Sequence, residues 1–255
     1  MQNQNKTVIK SMEILNLFLQ HPKLTLKEIA DLSNIPKTSV HRMLGSLTEM
    51  GFLVRDRAGY YELGLMFLQF GQIVSQRLDI RKIALPFMRS LLNETGEAVN
   101  LIVRDGDEAI YVEKLDTQHP VRLFTAIGRR SPLYAGACSR IILANLKENE
   151  REDYIKKCRL LPLASGTITD KKLLEHTLET SRKEGYAVSY SELENHTVSV
   201  AAPIFDHEGE IAAGISLAGF EGNFGGDRLS LFIEKLKSEA AKVSMKLGYR
   251  NREKV

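Results

Sequence analysis

The stretch Ile35–Leu44, "IPKTSVHRML", sets short hydroxyl donors and one arginine on a helix that opens after a proline. Arg42 carries a planar fork of N–H donors that matches guanine O6 and N7. Thr38 and Ser39 stand in the first turn, where hydroxyls and the helix dipole suit a phosphate or a base edge. At ~100° per residue, Val40, Met43, Leu44 and Leu47 share one face. Thr38, Arg42 and Gly45 lie opposite, with His41 and Ser46 at the edges. Gly45 on the wet face costs about 1 kcal/mol relative to alanine, and in return it lets a surface come close. A helix that only packed would carry glutamate and lysine there. Lys37, Arg55 and Arg57 add charges suited to phosphates, so the chemistry on offer is that of a major-groove reader.

A second stretch, "PLYAGACSR", gathers Ala135, Gly136, Ala137, Cys138 and Ser139 at the start of another helix. Small side chains leave the first backbone N–H groups bare, and the helix dipole favours an anion there. Tight helix–sheet packing uses the same residues, so both uses stay open. Cys138 could serve a hydrolase only beside a base such as His119 or His196. There is no GxSxG and no HExxH, and no two histidines stand four apart, so the sequence indicates neither catalytic residues nor a metal or cofactor site.

The 255 residues exceed one average domain, and a charged share of 26% beside a hydrophobic share of 43% is that of a globular chain. No apolar run approaches the ~18 residues of a membrane span, and the start "MQNQNKTVIK" lacks a signal peptide's apolar stretch, so a cytoplasmic protein is expected. Two cysteines without a CxxC pair fit reduced thiols. The net charge of +3 is uneven: residues 1–78 hold nine basic and six acidic side chains, while the remainder has 26 of each. A basic module on a neutral one points to a polyanionic partner for the first alone.

The elements follow from the same reading. "TVIKSMEILNLFLQ" predicts a helix with a broad buried face that includes Val8, Ile9 and Met12. "LTLKEIADLS" predicts a second, with Thr25 and Glu28 at capping-box spacing and Leu26, Ile29 and Leu32 inward. Pro36 fits the first position of the third helix, and Gly51 its left-handed stop. A hairpin around Gly59 completes a winged helix-turn-helix over 1–64. "GLMFLQFGQIVSQRL" predicts an apolar connector helix, about 65–79, that packs on a partner chain or on its own domains. From 80 to 255 a helix precedes two strands around Asp105–Asp107, and "VRLFTAIG" predicts a third strand. Three helices come next, then a strand, a hairpin turning at His207–Gly209, and a last helix over 227–247. The fold class is α+β, with an effector-type domain behind the reading head.

Together these pieces resemble the IclR (isocitrate lyase regulator) family of bacterial transcription factors over about residues 7 to 250. The matching stretches are "SMEIL", "LTLKEIADLSNIPKTSVHRMLGSL", "YELG", "EGYAVSYSELENHTVSVAAPIFD" and "AAGISLAG". The resemblance implies a winged-helix reader of palindromic operator DNA, a GAF-like domain for a small carboxylate effector, and dimers or tetramers of this chain. It carries the effector site onto Ala137, Cys138, Ser189, Ser199, Ser216 and Ala218, with Phe124, Ile127 and Leu133 on an apolar lid side. The family pattern is often acidic where Ser189 stands, has histidine where Tyr134 stands, and can have a hydroxyl where Ala218 stands. A small keto acid and a weakly polar or aromatic acid both remain open as the effector. So does a purely architectural DNA-binding role without ligand.

Overall fold

The computed structural model describes residues 5–77, 79–119, 123 and 125–250. The chain divides into two compact units, Met1–Arg77 and Leu78–Val255.

In the first unit, α1 (Lys6–Leu17), α2 (Leu26–Ser33) and α3 (Lys37–Glu49) pack over a small antiparallel sheet. Its strands β1 (Leu24–Thr25), β2 (Leu53–Arg55) and β3 (Tyr60–Leu63) lie in the order β1-β3-β2. Thr25 and Glu28 form the reciprocal capping box that opens α2. Pro36 is the residue before the first turn of α3, one place earlier than expected. Its φ of −52° and ψ of 133° turn the chain into the helix. Gly51 takes a φ of +75° just beyond α3, and Gly59 a φ of +92° in the wing turn. Asp56 closes that turn by accepting the Tyr60 N–H at 2.9 Å.

The core here is Ile14, Leu15, Phe18, Ile29, Ile35, Val40, Leu44 and Leu47 with Leu53 and Tyr61 from the sheet. Two expectations of burial are corrected. Val8, Ile9 and Met12 of α1 are exposed, and so is Leu32. Apolar periodicity finds the face but not how far the opposing elements reach along it. The helix α4 (Met66–Arg77) stacks Phe70 on Phe52 at 5.9 Å and sets Phe67 edge-on at 5.5 Å. Leu65, Leu68, Phe70 and Ile73 remain exposed. A Cβ added to Gly64 would stand 2.1 Å from the Gly51 carbonyl oxygen, so only glycine fits this crossing.

The second unit is a six-stranded antiparallel sheet in the order β6-β5-β4-β9-β8-β7. The strands are β4 (Ala98–Asp105), β5 (Glu108–Leu115), β6 (Arg130–Pro132), β7 (Ala187–Tyr190), β8 (Thr197–Phe205) and β9 (Ile211–Phe220). The helices α5 (Asp79–Thr95) and α9 (Asp227–Lys246) share one apolar cluster with the sheet. On the other side lie α6 (Ala137–Ala144), α7 (Glu148–Lys157) and α8 (Lys171–Glu184). Because helices cover both faces, β9 is buried at nearly every position and reads as the run "ISLAG", not as alternation.

The strand expected in "VRLFTAIG" falls partly on residues outside those described. The described strand comes later, at Arg130–Pro132, paired with β5 at Glu108↔Pro132. Arg130 fixes it by forking to Glu108 at 2.7 Å and Asp105 at 2.6 Å. No helix among the described residues is long and apolar enough to cross a membrane.

Candidate functional site

The outer face of α3 is exposed at Lys37, Thr38, His41, Arg42, Gly45 and Ser46, while Ser39 is half-buried. Its inner face is anchored, with Val40 and Leu44 fully buried. No acidic side chain stands in the first turn. A Cβ at Gly45 would meet nothing within 4 Å, so the glycine leaves that face flat. Arg42, Ser39 and Ser46 line one groove with Thr7 and Ser11 of α1. Arg55 and Arg57 are exposed in the wing, and Arg55 lies over the Tyr61 ring at 5.4 Å. That cation–π contact holds its fork near the surface without consuming the N–H donors.

In the second unit, strand register and the start of α6 enclose a cavity of about 50 Å³. The register runs Ser189↔Ser199↔Ala218 in one row across β7, β8 and β9, and Ala201↔Ser216↔Asn100 in the next across β8, β9 and β4. Rows two residues apart point to the same face, here toward α6. Gly136 precedes the helix with a φ of +84°, and a Cβ there would stand 2.8 Å from Leu193 Cδ1. No side chain caps α6. The amides of Ala137 and Cys138 are therefore orphan donors of a first helical turn, in residues that line the cavity.

Of the residues the family resemblance singles out, Ala137, Cys138, Ser189, Ser199, Ser216 and Ala218 meet in this lining. Leu133 does not: it is fully buried in the core beside α6. Ile127 is exposed on a turn instead. Phe124 lies outside the described residues. Residues 127–128 form a turn before the edge strand β6, which leaves Ile127 in solvent, whereas Leu133 follows that strand and packs into the core.

Sequence reasoning missed several polar residues here. Arg129 and Glu194 pair at 2.7 Å in the lining. Behind Gly136, Glu192 accepts the Gly136 N–H at 2.8 Å and binds Arg140 through Nε at 3.0 Å and Nη2 at 2.7 Å. Arg140 also donates to the Val188 carbonyl at 2.5 Å. Both members of this pair are almost fully buried. The missed signal was an arginine amid the apolar "ACSRIILA", which demands a buried partner. Asn100, facing Ser216 across the sheet, was missed because a lone strand asparagine gives no periodic signal.

Burial pushes the Cys138 thiol up to about 12, against the lowering effect of a hydrogen bond with Ser216. Among the described residues no histidine lines the cavity with it. Burial also raises the half-buried Cys158 thiol. At pH 8, only about one Cys138 in ten thousand would be a thiolate. Iodoacetamide is therefore expected to label Cys158 first and spare Cys138 in the native chain, read by mass spectrometry of digests. Equal labelling of the two would mean that the cavity opens freely to solvent.

Comparison with known proteins bears on the family and the fold. Residues 7–57 match the IclR helix-turn-helix domain, and residues 72–245 match the bacterial transcriptional regulator IclR C-terminal domain. The chain is 60% identical over 249 residues to the HTH-type transcriptional regulator KipR of Bacillus subtilis, covering 98% of this chain and 100% of that protein. It is 34% identical to the crystal structure of the Thermotoga maritima IclR, with a TM-score of 0.79, covering 95% of this chain and 99% of that one. An IclR homologue from Microbacterium hydrocarbonoxydans, crystallised with 4-hydroxybenzoate, shares the fold at a TM-score of 0.83 and 23% identity, over 95% of this chain and 99% of that one. The chain thus belongs to the IclR family: a transcriptional regulator with a helix-turn-helix DNA-binding domain and an IclR C-terminal domain.

Proposed function

We propose that this regulator is a cytoplasmic repressor that binds a palindromic operator as a homo-oligomer and releases or grips it in response to a small organic acid. The observation that carries the DNA half is the two-sided α3, with Arg42 and Thr38 in solvent and Val40 and Leu44 sealed beneath. Thr38, Ser39, His41, Arg42 and Ser46 enter the major groove, Arg42 reading a guanine, and Lys37, Arg55 and Arg57 hold phosphates. The exposed apolar side chains of α1 and α4 suit pairing of two copies, which sets the half-site spacing.

The cavity supports the effector half. The cavity of about 50 Å³, lined by serine hydroxyls and the first turn of α6, suits a small organic acid. Its carboxylate would meet the orphan amides of Ala137 and Cys138, with Ser189, Ser199 and Ser216 around it. Ligand binding would alter the spacing of the two reading heads through α4, by no more than its differential affinity for the two arrangements.

Titration of operator and random duplexes by fluorescence anisotropy at several salt concentrations tests the DNA half. Arg57→Ala is expected to weaken both duplexes alike and to lower the slope of log affinity against log salt by about one. A loss confined to the operator would make Arg57 a base reader and overturn this assignment. An unchanged slope would remove the wing from the interface.

A further inference from the structure

Asn100 is 1% exposed, yet its Oδ1 is sealed without a hydrogen-bond partner. Buried side-chain amides are almost always paired within the protein. Asn100 lines the cavity at the start of α6, on the same sheet face as Ser216 and Ser199. Thr125, in the same lining, has its Oγ1 sealed without a partner as well. The cavity therefore offers the bare helix amides for an anion and, apart from them, an Asn100 oxygen that lacks a donor.

From this we infer that the effector is a small monocarboxylate that also carries an amide, with the carboxylate on the Ala137 and Cys138 N–H groups and the amide paired with Asn100. The inference rests on the proposed effector role of the cavity and narrows its ligand class. A ketone can only accept, so it leaves Oδ1 without a donor. A second carboxylate also only accepts, and it brings another negative charge into a lining where Arg129 is already engaged by Glu194. An amide supplies the N–H that Oδ1 lacks, with a C=O beside it that can accept from the Asn100 nitrogen. A ligand amide complements Asn100 whichever way its oxygen and nitrogen are assigned, whereas a ketone does so only where the nitrogen faces it.

Isosteric sets of ligands test the inference on the full chain by thermal shift. One set is oxamate, pyruvate and oxalate; the longer set is succinamate, levulinate and succinate. Within a set only the terminal group changes, from amide to ketone to carboxylate. In at least one set, the amide is expected to give the same rise in Tm at about tenfold lower concentration than its partners. Asn100→Val, similar in bulk and suited to a strand, is expected to erase that preference while the ketone keeps its own shift. Asn100→Leu, close in shape and without a polar atom, serves the same purpose if the valine variant does not fold. A ketone or dicarboxylate that shifts Tm as well as the amide overturns the amide inference and leaves the effector site standing. An amide preference that survives both substitutions removes Asn100 from the site. No shift from any member of either set overturns the small-carboxylate effector together with the inference.

Discussion

Arg42→Ala is expected to abolish the distinction between operator and random DNA at concentrations where the parent chain protects a defined site. One bidentate guanine contact contributes about 1–3 kcal/mol of discrimination, or roughly 5- to 150-fold per half-site. A symmetric pair of copies loses it twice, so the combined effect multiplies. The substitution leaves the fold alone, because Arg42 is exposed while Val40 and Leu44 carry the packing. Nuclease footprinting with circular dichroism as a control separates the two. An unaltered footprint at unaltered protein concentration would mean that α3 does not read the bases.

The largest loss of stability is expected from Glu192→Ala. Glu192 holds Arg140 at 2.7 and 3.0 Å and the Gly136 amide at 2.8 Å, all away from water. Arg140 Nη1 is sealed without an acceptor, so the guanidinium depends on Glu192 for most of its compensation. Removing one member of a buried ion pair costs about 3–5 kcal/mol, because the other charge stays behind. For a unit of this size each kcal/mol moves Tm by about 2–4 °C, so calorimetry should show the second unit melting roughly 6–20 °C lower. Replacing both partners, with Arg140→Met and Glu192→Leu together, is expected to recover most of that loss. A single variant that melts within 2 °C of the parent would show that Arg140 finds another acceptor or reaches water.

The reading head was legible because its signals are local. Thr25 with Glu28, Pro36, Gly51 and Gly59 each declare a cap or turn within four residues, and the apolar period of α3 assigns its faces directly. Partner-dependent burial was not legible. Val8, Ile9, Met12 and Leu32 carry the right residue type, but nothing in the chain tells how far α2 and the sheet extend over them. The second unit divided along the same line. The turn at Gly136 and the hydroxyls of β7, β8 and β9 could be placed through the family's pattern, because strand period alone keeps them on one face. Leu133 and Ile127 could not, since whether an apolar side chain faces a cavity, a core or solvent depends on elements distant in sequence. Asn100, Glu192 and the Arg129–Glu194 pair likewise take their meaning from partners on other strands and helices.

The crossing of Gly51 and Gly64 has a mechanical consequence. Gly51 ends the reading helix and Gly64 begins the approach to α4, and the Gly64 N–H donates to the Phe52 carbonyl at 2.8 Å. Backbone lies on backbone here, and the Phe52 ring is contacted by both Phe67 and Phe70. A twist applied to α4 would therefore meet the C-terminal end of α3 through packed rings and a backbone hydrogen bond, and not through a loose loop.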